Sequence, residues 1–209
     1  MIVIIDYGMG NLRSVSKALE SLGDSVRVSS DPQDVARAEK LVLPGVGAFA
    51  AAMRELTARR LIDPIKASIA QGTPYLGICL GLQLLFDRGE EGEGATGLGV
   101  LRGTVKRFSC PAPLKIPHMG WNQVIRSQKS EVRSQSECSL LKGIPEGSFF
   151  YFVHSYYADP ADRSVVSLET DYGGTFAAMV WRDNLYATQF HPEKSQTVGL
   201  RLLRNFIEL

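Results

Sequence analysis

Residues 75–86, YLGICLGLQLLF, contain the pattern that decides the fold. An apolar run of strand length ends at Cys79, which stands between Gly77 and Gly81, and an apolar, amphipathic segment follows at once. A strand, a nucleophile flanked by small residues and a helix form a nucleophile elbow, usually built on serine but open to cysteine. Glycines allow a sharp turn where side chains would clash. The elbow predicts a sulfur at a helix N-terminus, where N–H groups and the helix dipole favour the thiolate.

The composition of the whole chain is that of a globular protein. The 209 residues are 44% hydrophobic and carry a formal net charge of +1. This length predicts a single domain over residues 1–209 with a sizeable core. The near-neutral charge argues against nucleic acid and against a membrane surface as partners. The opening residues, MIVIIDYGMGN, lack the long apolar run of a membrane span and the basic start of a signal peptide.

The cysteine pattern indicates a reducing compartment. The chain has three cysteines, Cys79, Cys110 and Cys138, with no C-x-x-C pair. An odd number without that spacing predicts neither a disulfide framework nor a zinc site. We therefore expect a cytoplasmic protein in which Cys79 is a free thiol, and we expect no metal or organic cofactor.

Strands alternate with helices in the amino-terminal half of the sequence. Apolar runs at residues 1–5, 25–29, 40–43 and 75–78 predict strands, and helical spacing predicts helices at residues 12–22, from 32 onward, 48–60 and 63–71. This alternation implies βαβ units and a mostly parallel sheet flanked by helices. Ligands of such sheets bind at the carboxyl ends of the strands. Cys79 falls at such an end, and so does the segment Gly45-Val46-Gly47.

The carboxy-terminal half predicts an antiparallel extension of the sheet. Short alternating runs occur at residues 105–108, 122–126, 149–157, 165–170, 175–181 and 185–190, and hairpin turns are expected at 172–174 and 182–184. The chain closes with a helix around residues 198–207. The acidic, glycine-rich segment 89–97 is interpreted as a solvated connection, and the polar segment 127–137 as a loop without regular structure. The fold class is therefore α/β with a mixed, mostly parallel central sheet.

A cysteine nucleophile needs a base, a residue that orients the base, and donors for the oxyanion. His191 follows a predicted strand in FHPEKS, and the carboxylate of Glu193 is near enough in sequence to reach its ring. The amide of Leu80 and an amide of the Gly45-Val46-Gly47 segment are candidate oxyanion donors. Simpler interpretations remain open for each: a buried structural thiol at Cys79, an ordinary strand-end histidine, and a plain strand-to-helix turn.

Three segments together resemble the class I, triad-type glutamine amidotransferases: GICLGLQLLF, PGVGAF and QFHPEKS. Three more, IVIIDYGMGNLR at residues 2–13, KIPHMGWN at 115–122 and YFVHSY at 151–156, are most similar to the glutaminase (HisH) subunits of imidazole glycerol phosphate synthase. The resemblance covers nearly the whole chain in the right order. It implies the flavodoxin-like fold of that family, with the antiparallel extension already expected.

The resemblance implies that the chain hydrolyses glutamine. Cys79 would attack the carboxamide and form a γ-glutamyl thioester, with His191 as general acid and base and Glu193 as its orienting partner. The amides of Val46 and Leu80 would form the oxyanion hole. The positions matching the family's substrate contacts are Gly45, Gly47, Gln83, Ser155 and Tyr156.

The resemblance also implies a partner, a separate (β/α)8-barrel cyclase (HisF) subunit that receives the ammonia. The positions that would lie at this interface are Met119, Trp121, Asn122, Tyr151 and Lys194. An aromatic residue such as Trp121 suits an interface anchor, but packing in the core is the alternative. His118 and His154 are equally well interpreted as structural histidines. Because ammonia is wasted when the acceptor site is empty, we expect residues 45–47 to switch conformation, with the partner favouring the active one.

Three other interpretations stay open. The chain could be a class I glutaminase that serves another synthetase, such as one making anthranilate or guanylate. It could be a cysteine hydrolase of related fold that lacks a glutamine site. It could also be a non-catalytic docking or regulatory subunit, although an intact set of Cys79, His191 and Glu193 weighs against that.

Overall fold

The computed structural model describes residues 1–92, 94–109, 112–127 and 138–209. In chain order, the strands of the described residues are β1 (Ile2–Ile5), β2 (Val26–Ser29), β3 (Lys40–Gly45), β4 (Tyr75–Cys79), β5 (Phe86–Gly89), β6 (Ala95–Thr96), β7 (Leu101–Arg107), β8 (His118–Gln123), β9 (Ile125–Arg126), β10 (Phe149–His154), β11 (Tyr156–Pro160), β12 (Val166–Asp171), β13 (Thr175–Arg182) and β14 (Leu185–Thr188). The α-helices are α1 (Leu12–Glu20), α2 (Pro32–Ala36), α3 (Phe49–Ala58), α4 (Ile62–Ala70), α5 (Leu80–Gln83) and α6 (Gln196–Ile207).

The central sheet has eight strands in the order β2-β1-β3-β4-β14-β13-β12-β9. The first five strands in this order, β2, β1, β3, β4 and β14, pair in parallel. The other three, β13, β12 and β9, continue the sheet in antiparallel pairing. The predicted α/β class, with a mostly parallel sheet and an antiparallel extension, is therefore confirmed. Hairpins join β12 to β13 and β13 to β14 at the two predicted turns.

The remaining strands form two smaller sheets that the sequence did not predict. One pairs β10 with β8, and the other has the order β11-β7-β5-β6. The apolar run at residues 149–157 reads as one strand, but it is interrupted at Ser155, whose carbonyl accepts from the amide of Phe108. Because of this break, β10 and β11 belong to different sheets.

The parallel strands are buried because helices cover both faces of the sheet, as is usual for parallel sheets. In β1, Ile2 and Ile4 pack with the apolar residues of α1 and α6, whereas Val3 and Ile5 pack with those of α2, α3 and α4. The helix starts follow the sequence signals. The side chain of Asn11 accepts from the amide of Ser14 at the start of α1, and Asp31 caps α2 in the same way.

Two local predictions are wrong. The helix after Cys79 is a single turn, because the carbonyls of Leu84 and Leu85 accept from the amides of Leu98 and Val100 instead of continuing the helix. The segment 89–97 is more than a solvated connection, since Ala95–Thr96 form β6 and pair with β5. The predicted loop at 127–137 lies outside the described residues except for Ser127, which is buried.

No helix in the described part of the chain is long and apolar enough to cross a membrane.

Candidate active site

The strained residue of the elbow is Cys79 itself. It ends β4 with φ 56° and ψ −108°, a region that residues other than glycine rarely adopt. A Cβ on Gly81 would lie 1.8 Å from the carbonyl oxygen of Leu43, and one on Gly77 would lie 2.6 Å from that of Gly81. Neither glycine has a positive φ. The two glycines therefore provide room for close backbone approach, and the turn predicted for them occurs at the nucleophile.

The parallel register brings the candidate residues to one edge of the sheet. Gly45 at the end of β3 pairs with Cys79 at the end of β4, and Ile78 pairs with Thr188 at the end of β14. His191 follows the end of β14 by three residues, so its loop also lies at this edge. Three strand ends that are far apart in sequence thus meet around one sulfur atom.

His191 and Glu193 form a buried pair. The Nδ1 atom of His191 lies 2.8 Å from Oε1 of Glu193, and their side chains are 3% and 1% exposed. Burial opposes a charge on the ring, but Cys79 and Glu193 outweigh it and raise the pKa of His191 to about 10. Its Nε2 makes no hydrogen bond within the described residues. At neutral pH the ring is therefore a charged imidazolium, and the N–H group of Nε2 can donate to the sulfur or to a substrate.

Two backbone contacts fix the histidine loop to β10. The amide of His191 donates to the carbonyl of Tyr151. The buried hydroxyl of Ser195 donates to the carbonyl of His191, at 2.6 Å, and accepts from the amide of Tyr151, at 3.0 Å. These contacts hold the imidazole at a defined distance from the sheet edge.

A cavity of about 340 Å³ opens beside Cys79. Most of the residues expected to contact a substrate line it: Val46, Gly47, Leu80, Gln83, Ser155 and Tyr156. Gly45 does not line the cavity, because it is buried beneath it. A Cβ at Gly45 would lie 2.4 Å from the hydroxyl of Tyr7 and 2.8 Å from Cβ of Leu80. Gly45 therefore contributes close packing below the loop that carries Val46, where a side chain would not fit.

Glu91 is a cavity residue that the sequence did not single out. Glu91 lines the space beside Cys79, and its carboxylate accepts from the amide of Phe49 at the start of α3, at 2.7 Å. The residue before that helix, Ala48, has no capping side chain, so a distant carboxylate supplies the cap. The segment 89–97 shows only acidic and glycine residues, and nothing in that composition indicates which carboxylate turns inward.

A chain of side-chain amides connects the cavity to the sulfur. Nε2 of Gln83 donates to the carbonyl of Tyr156, at 2.9 Å, and to Oε1 of Gln189, at 3.0 Å. Nε2 of Gln189 lies 3.7 Å from Sγ of Cys79. The sulfur also lies 3.9 Å from the carbonyl oxygen of Val153. Gln189 is fully buried, and the sequence singled it out only as part of the QFHPEKS segment.

His118 and His154 form a buried pair behind the cavity. Their Nδ1 and Nε2 atoms, respectively, are 3.0 Å apart, and Nδ1 of His154 donates to the carbonyl of Tyr156. Burial lowers the pKa of His118 to about 4 and that of His154 to about 3. Both rings are therefore neutral at physiological pH. They are satisfied histidines of the interior, although His154 also lines the cavity.

Four of the five residues expected at a partner interface lie on one exposed face. Met119, Trp121 and Tyr151 project from the outer face of the β8–β10 sheet, where Trp121 packs against Tyr151 with ring centres 6.2 Å apart. Nζ of Lys194 lies 5.8 Å from the centre of the Tyr151 ring. Trp121 is 47% exposed, so the core alternative is wrong. We call these four residues the aromatic face.

Asn122 does not belong to the aromatic face. Neighbouring residues of a strand point to opposite sides, and the Asn122 side chain donates to the carbonyl of Asp171, at 2.9 Å, and contacts His118. The side chain of Asn122 therefore bonds within the chain, on the side of β8 that faces away from Trp121.

The geometry suits acyl transfer from a small substrate. A sulfur nucleophile stands at the floor of a cavity, next to a protonated histidine that a carboxylate holds. Leu80, which follows the nucleophile, and Val46, which follows β3, line the same cavity, and their amides are the candidate oxyanion donors. In the described ranges, no group of three or more His, Cys, Asp or Glu side chains could hold a metal ion.

Comparison with known proteins identifies the family. Residues 3–209 match the family model described as glutamine amidotransferase class-I. Two curated relatives are named imidazole glycerol phosphate synthase subunit HisH. The protein from Syntrophotalea carbinolica is 54% identical over 99% of this chain and 98% of its own length, and the one from Rhodopirellula baltica is 55% identical over 99% and 96%.

Solved structures agree on the fold. A structure described as a glutamine amidotransferase matches all of this chain and 98% of its own, with a TM-score of 0.74 at 20% identity. The structure of PurLQS from Thermotoga maritima matches 99% of this chain and 97% of its own, with a TM-score of 0.71 at 19% identity. The chain therefore belongs to the class I glutamine amidotransferase family and, within it, to the HisH subunits of imidazole glycerol phosphate synthase.

Proposed function

We propose that this chain hydrolyses glutamine to glutamate and ammonia through a thioester on Cys79. It passes the ammonia to a HisF-type (β/α)8-barrel cyclase, which makes imidazole glycerol phosphate and an aminoimidazole carboxamide ribonucleotide (AICAR) from a phosphoribulosyl formimino carboxamide ribonucleotide (PRFAR) in L-histidine biosynthesis. The observation that supports it best is the set of three residues around one sulfur: His191 is held by Glu193 at 2.8 Å, lies near enough to Cys79 for the sulfur to raise its pKa, and Cys79 itself lines the cavity.

The reaction has two steps, formation of the thioester and its hydrolysis, and each residue has a role in them. The Cys79 thiolate attacks the carboxamide carbon, a C–S bond forms, and amides of Val46 and Leu80 stabilise the oxyanion. The C–N bond then breaks as protonated His191 donates its proton to the nitrogen, which leaves as ammonia. Neutral His191 next accepts a proton from water, and the hydroxide attacks the thioester carbon. The C–S bond then breaks, which releases glutamate and leaves the thiolate beside protonated His191, as at the start. Glu193 stabilises the imidazolium.

Glu91 is the group that we assign to the α-ammonium of glutamine. Glu91 lines the cavity and is half-buried, and a half-buried carboxylate attracts a cation more strongly than a water-exposed one does. Glu91→Gln should raise KM for glutamine and change kcat little, because the ammonium is far from the bond that breaks. Glu90→Gln, the exposed neighbour, is the matched control. Equal KM values for the two variants would remove Glu91 from the substrate site.

The aromatic face is the surface that we assign to the cyclase. Met119 is 62% exposed and Trp121 47%, and large exposed apolar side chains grouped on one face mark an interaction site. Trp121→Ala should weaken the complex at least about tenfold, as expected for an aromatic anchor. Val28→Ala, a change of an exposed residue on the edge strand β2, should leave affinity unchanged. Similar affinities for both variants would place the interface elsewhere.

The decisive experiment measures glutamate release from glutamine. The chain is assayed alone, with the cyclase, and with the cyclase and its nucleotide ligand. Strong activation in the last mixture supports the proposed function and the expected switch of residues 45–47. High activity of the chain alone would indicate an ungated glutaminase.

Two alanine variants test the nucleophile. Cys79→Ala should lower the activated rate at least about a thousandfold. Cys138→Ala, which removes a buried sulfur away from the cavity, should keep most of it. Absence of activity in every mixture, with a parent chain that folds and binds the cyclase, would favour the non-catalytic interpretation. Activation by another synthetase instead would overturn the choice of partner.

A further inference from the structure

Gln189 is a buried polar residue that the proposed mechanism does not use. It follows β14 directly and stands two positions before His191. Its relative exposure is 0%, and its backbone amide donates to the carbonyl of Ala178 in β13. The side chain therefore has a fixed origin in the sheet, and its amide group has no access to water.

Which end of the Gln189 amide faces the sulfur follows from the neighbouring bonds. A backbone carbonyl only accepts, so the atom of Gln83 that contacts the oxygen of Tyr156 must be its nitrogen. The second hydrogen of this NH2 group goes to Gln189, 3.0 Å away, so the facing atom of Gln189 must be its oxygen. The NH2 group of Gln189 is then the end that lies 3.7 Å from Sγ of Cys79.

The sulfur thus has two contacts with opposite preferences. The carbonyl of Val153, 3.9 Å away, accepts and so favours the thiol, which carries a proton. The NH2 group of Gln189 donates and so favours the thiolate. Hydrogen bonds to a charged acceptor are stronger than those between neutral groups. They also gain strength in a site without water, and Cys79 is 6% exposed.

We propose that Gln189 is a further catalytic residue, which donates a hydrogen bond from its side-chain amide to the sulfur of Cys79 and thereby stabilises the attacking thiolate. The same bond is available when the thiolate leaves during hydrolysis of the thioester. The proposal rests on the proposed function for its substrate, glutamine, but the state of the sulfur can be measured without any substrate.

The other groups near the sulfur come from four separate elements. They are Tyr7 after β1, Glu91 after β5, His154 in β10 and His191 after β14. All four stay the same when Gln189 is replaced. A change in the titration of the sulfur in a variant with a neutral side chain at position 189 therefore reports the loss of the amide donor.

Alkylation by iodoacetamide measures the thiolate directly. Cys110 and Cys138 are first replaced by alanine, which leaves Cys79 as the only cysteine of the chain. The alkylation rate is then followed against pH in this parent and in two variants. Gln189→Met fills the same space without a donor. Gln189→Glu keeps an acceptor for Gln83 but presents no N–H group to the sulfur when ionised.

The expected result is a midpoint about one pH unit higher in Gln189→Met, which corresponds to a rate about tenfold lower below the midpoint. The shift in Gln189→Glu should be larger, because a carboxylate repels the thiolate. Thr188→Val is the control, since it removes a buried hydroxyl bonded to the carbonyl of Phe190 and spares the sulfur. Its midpoint should equal that of the parent.

Glutamine turnover separates the donor from a structural role. If the midpoints of both Gln189 variants match the parent while kcat falls, Gln189 only holds Gln83 in place, and the proposal is overturned. Should Gln189→Met fail to fold, Gln189→Leu, a second neutral side chain without a donor, decides instead, because the charge of Gln189→Glu alone can shift the midpoint. If the midpoints shift in a chain that never hydrolyses glutamine, the hydrogen bond from Gln189 to the sulfur is supported and the proposed function is contradicted.

Discussion

The backbone of Cys79 has φ 56°, and such a conformation costs on the order of 1–3 kcal/mol in a residue with a side chain. The close approach of the neighbouring backbone holds it there. The amide of Leu84 bonds to the carbonyl of Leu80 just beyond the elbow, and Gly81 lies against the carbonyl of Leu43. At the scale of single residues, a strained backbone thus sets the position of the nucleophile, and the neighbouring glycines leave room for that conformation.

Gly81→Ala should destabilise the fold strongly. The new Cβ would lie 1.8 Å from the oxygen of Leu43, so β3 and α5 must separate, at a cost of about 2–4 kcal/mol. Gly72→Ala is the control, because Gly72 has φ +92° but open space around it, and its cost should be about 1 kcal/mol. Urea unfolding compares the two. Equal costs would mean that the elbow relaxes around the new methyl group and that crowding does not select glycine there.

Tyr7→Phe should stabilise the isolated chain by about 1 kcal/mol. The hydroxyl of Tyr7 is buried and has no hydrogen-bond partner among the described residues. Burial, with a smaller contribution from Cys79, raises the pKa of this hydroxyl above its usual range. Tyr75→Phe is the matched control, because that hydroxyl donates to the carbonyl of Gly81 and its loss should destabilise. If both changes lower the urea midpoint alike, the Tyr7 hydroxyl has a partner.

At the scale of elements, the βαβ half of the fold could be predicted and the lengths of several elements could not. Apolar periodicity and the caps at Asn11 and Asp31 identify the first helices because these signals are local. The single-turn helix α5 depends on bonds between residues 84–85 and 98–100, which no local pattern reveals. The break at Ser155 also requires a partner from another strand.

Ser195→Ala should loosen the attachment of the histidine loop to β10. The change leaves the amide of Tyr151 without its acceptor, and an unsatisfied buried amide costs about 1–3 kcal/mol. We expect lower stability and a lower kcat for glutamine with KM almost unchanged, because His191 loses its defined position. Ser195→Thr, which keeps the hydroxyl, should restore part of both. An unchanged kcat in Ser195→Ala would show that the remaining bond from His191 to Tyr151 is sufficient.

At the scale of the whole molecule, the sequence predicts the residues that carry the chemistry better than it predicts the residues that surround the sulfur and line the cavity. The residue types of Cys79, His191 and Glu193 carry chemistry that a motif preserves, and parallel topology predicts one edge for all three. Glu91 and Gln189 reach the sulfur or its cavity only through tertiary packing. The resemblance groups Asn122 with the interface residues, but the alternation along β8 places its side chain on the opposite side from Trp121, where it donates to Asp171.

The buried histidine pair makes the whole molecule sensitive to acid. Burial lowers the pKa of His154 to about 3 and that of His118 to about 4, whereas an unfolded histidine titrates near 6.5. Between about pH 6.5 and these values the unfolded chain binds more protons, so stability falls as pH falls, by about 1.4 kcal/mol per pH unit for His154. His191 acts in the opposite direction, because its pKa is raised to about 10. Between about pH 6.5 and pH 10 the folded chain binds more protons, so the contribution of His191 to stability is lost as pH rises.

Urea unfolding between pH 7 and pH 4.5 measures this sensitivity. In His154→Gln the free energy of unfolding should depend less steeply on pH, whatever its value at pH 7, because glutamine does not titrate. His118→Gln should reduce the slope in the same direction. Comparison of slopes separates the titration from any loss of packing, which lowers stability at every pH alike. An unchanged slope in both variants would mean that the pair is already protonated in the fold, with carboxylates as the source of acid sensitivity.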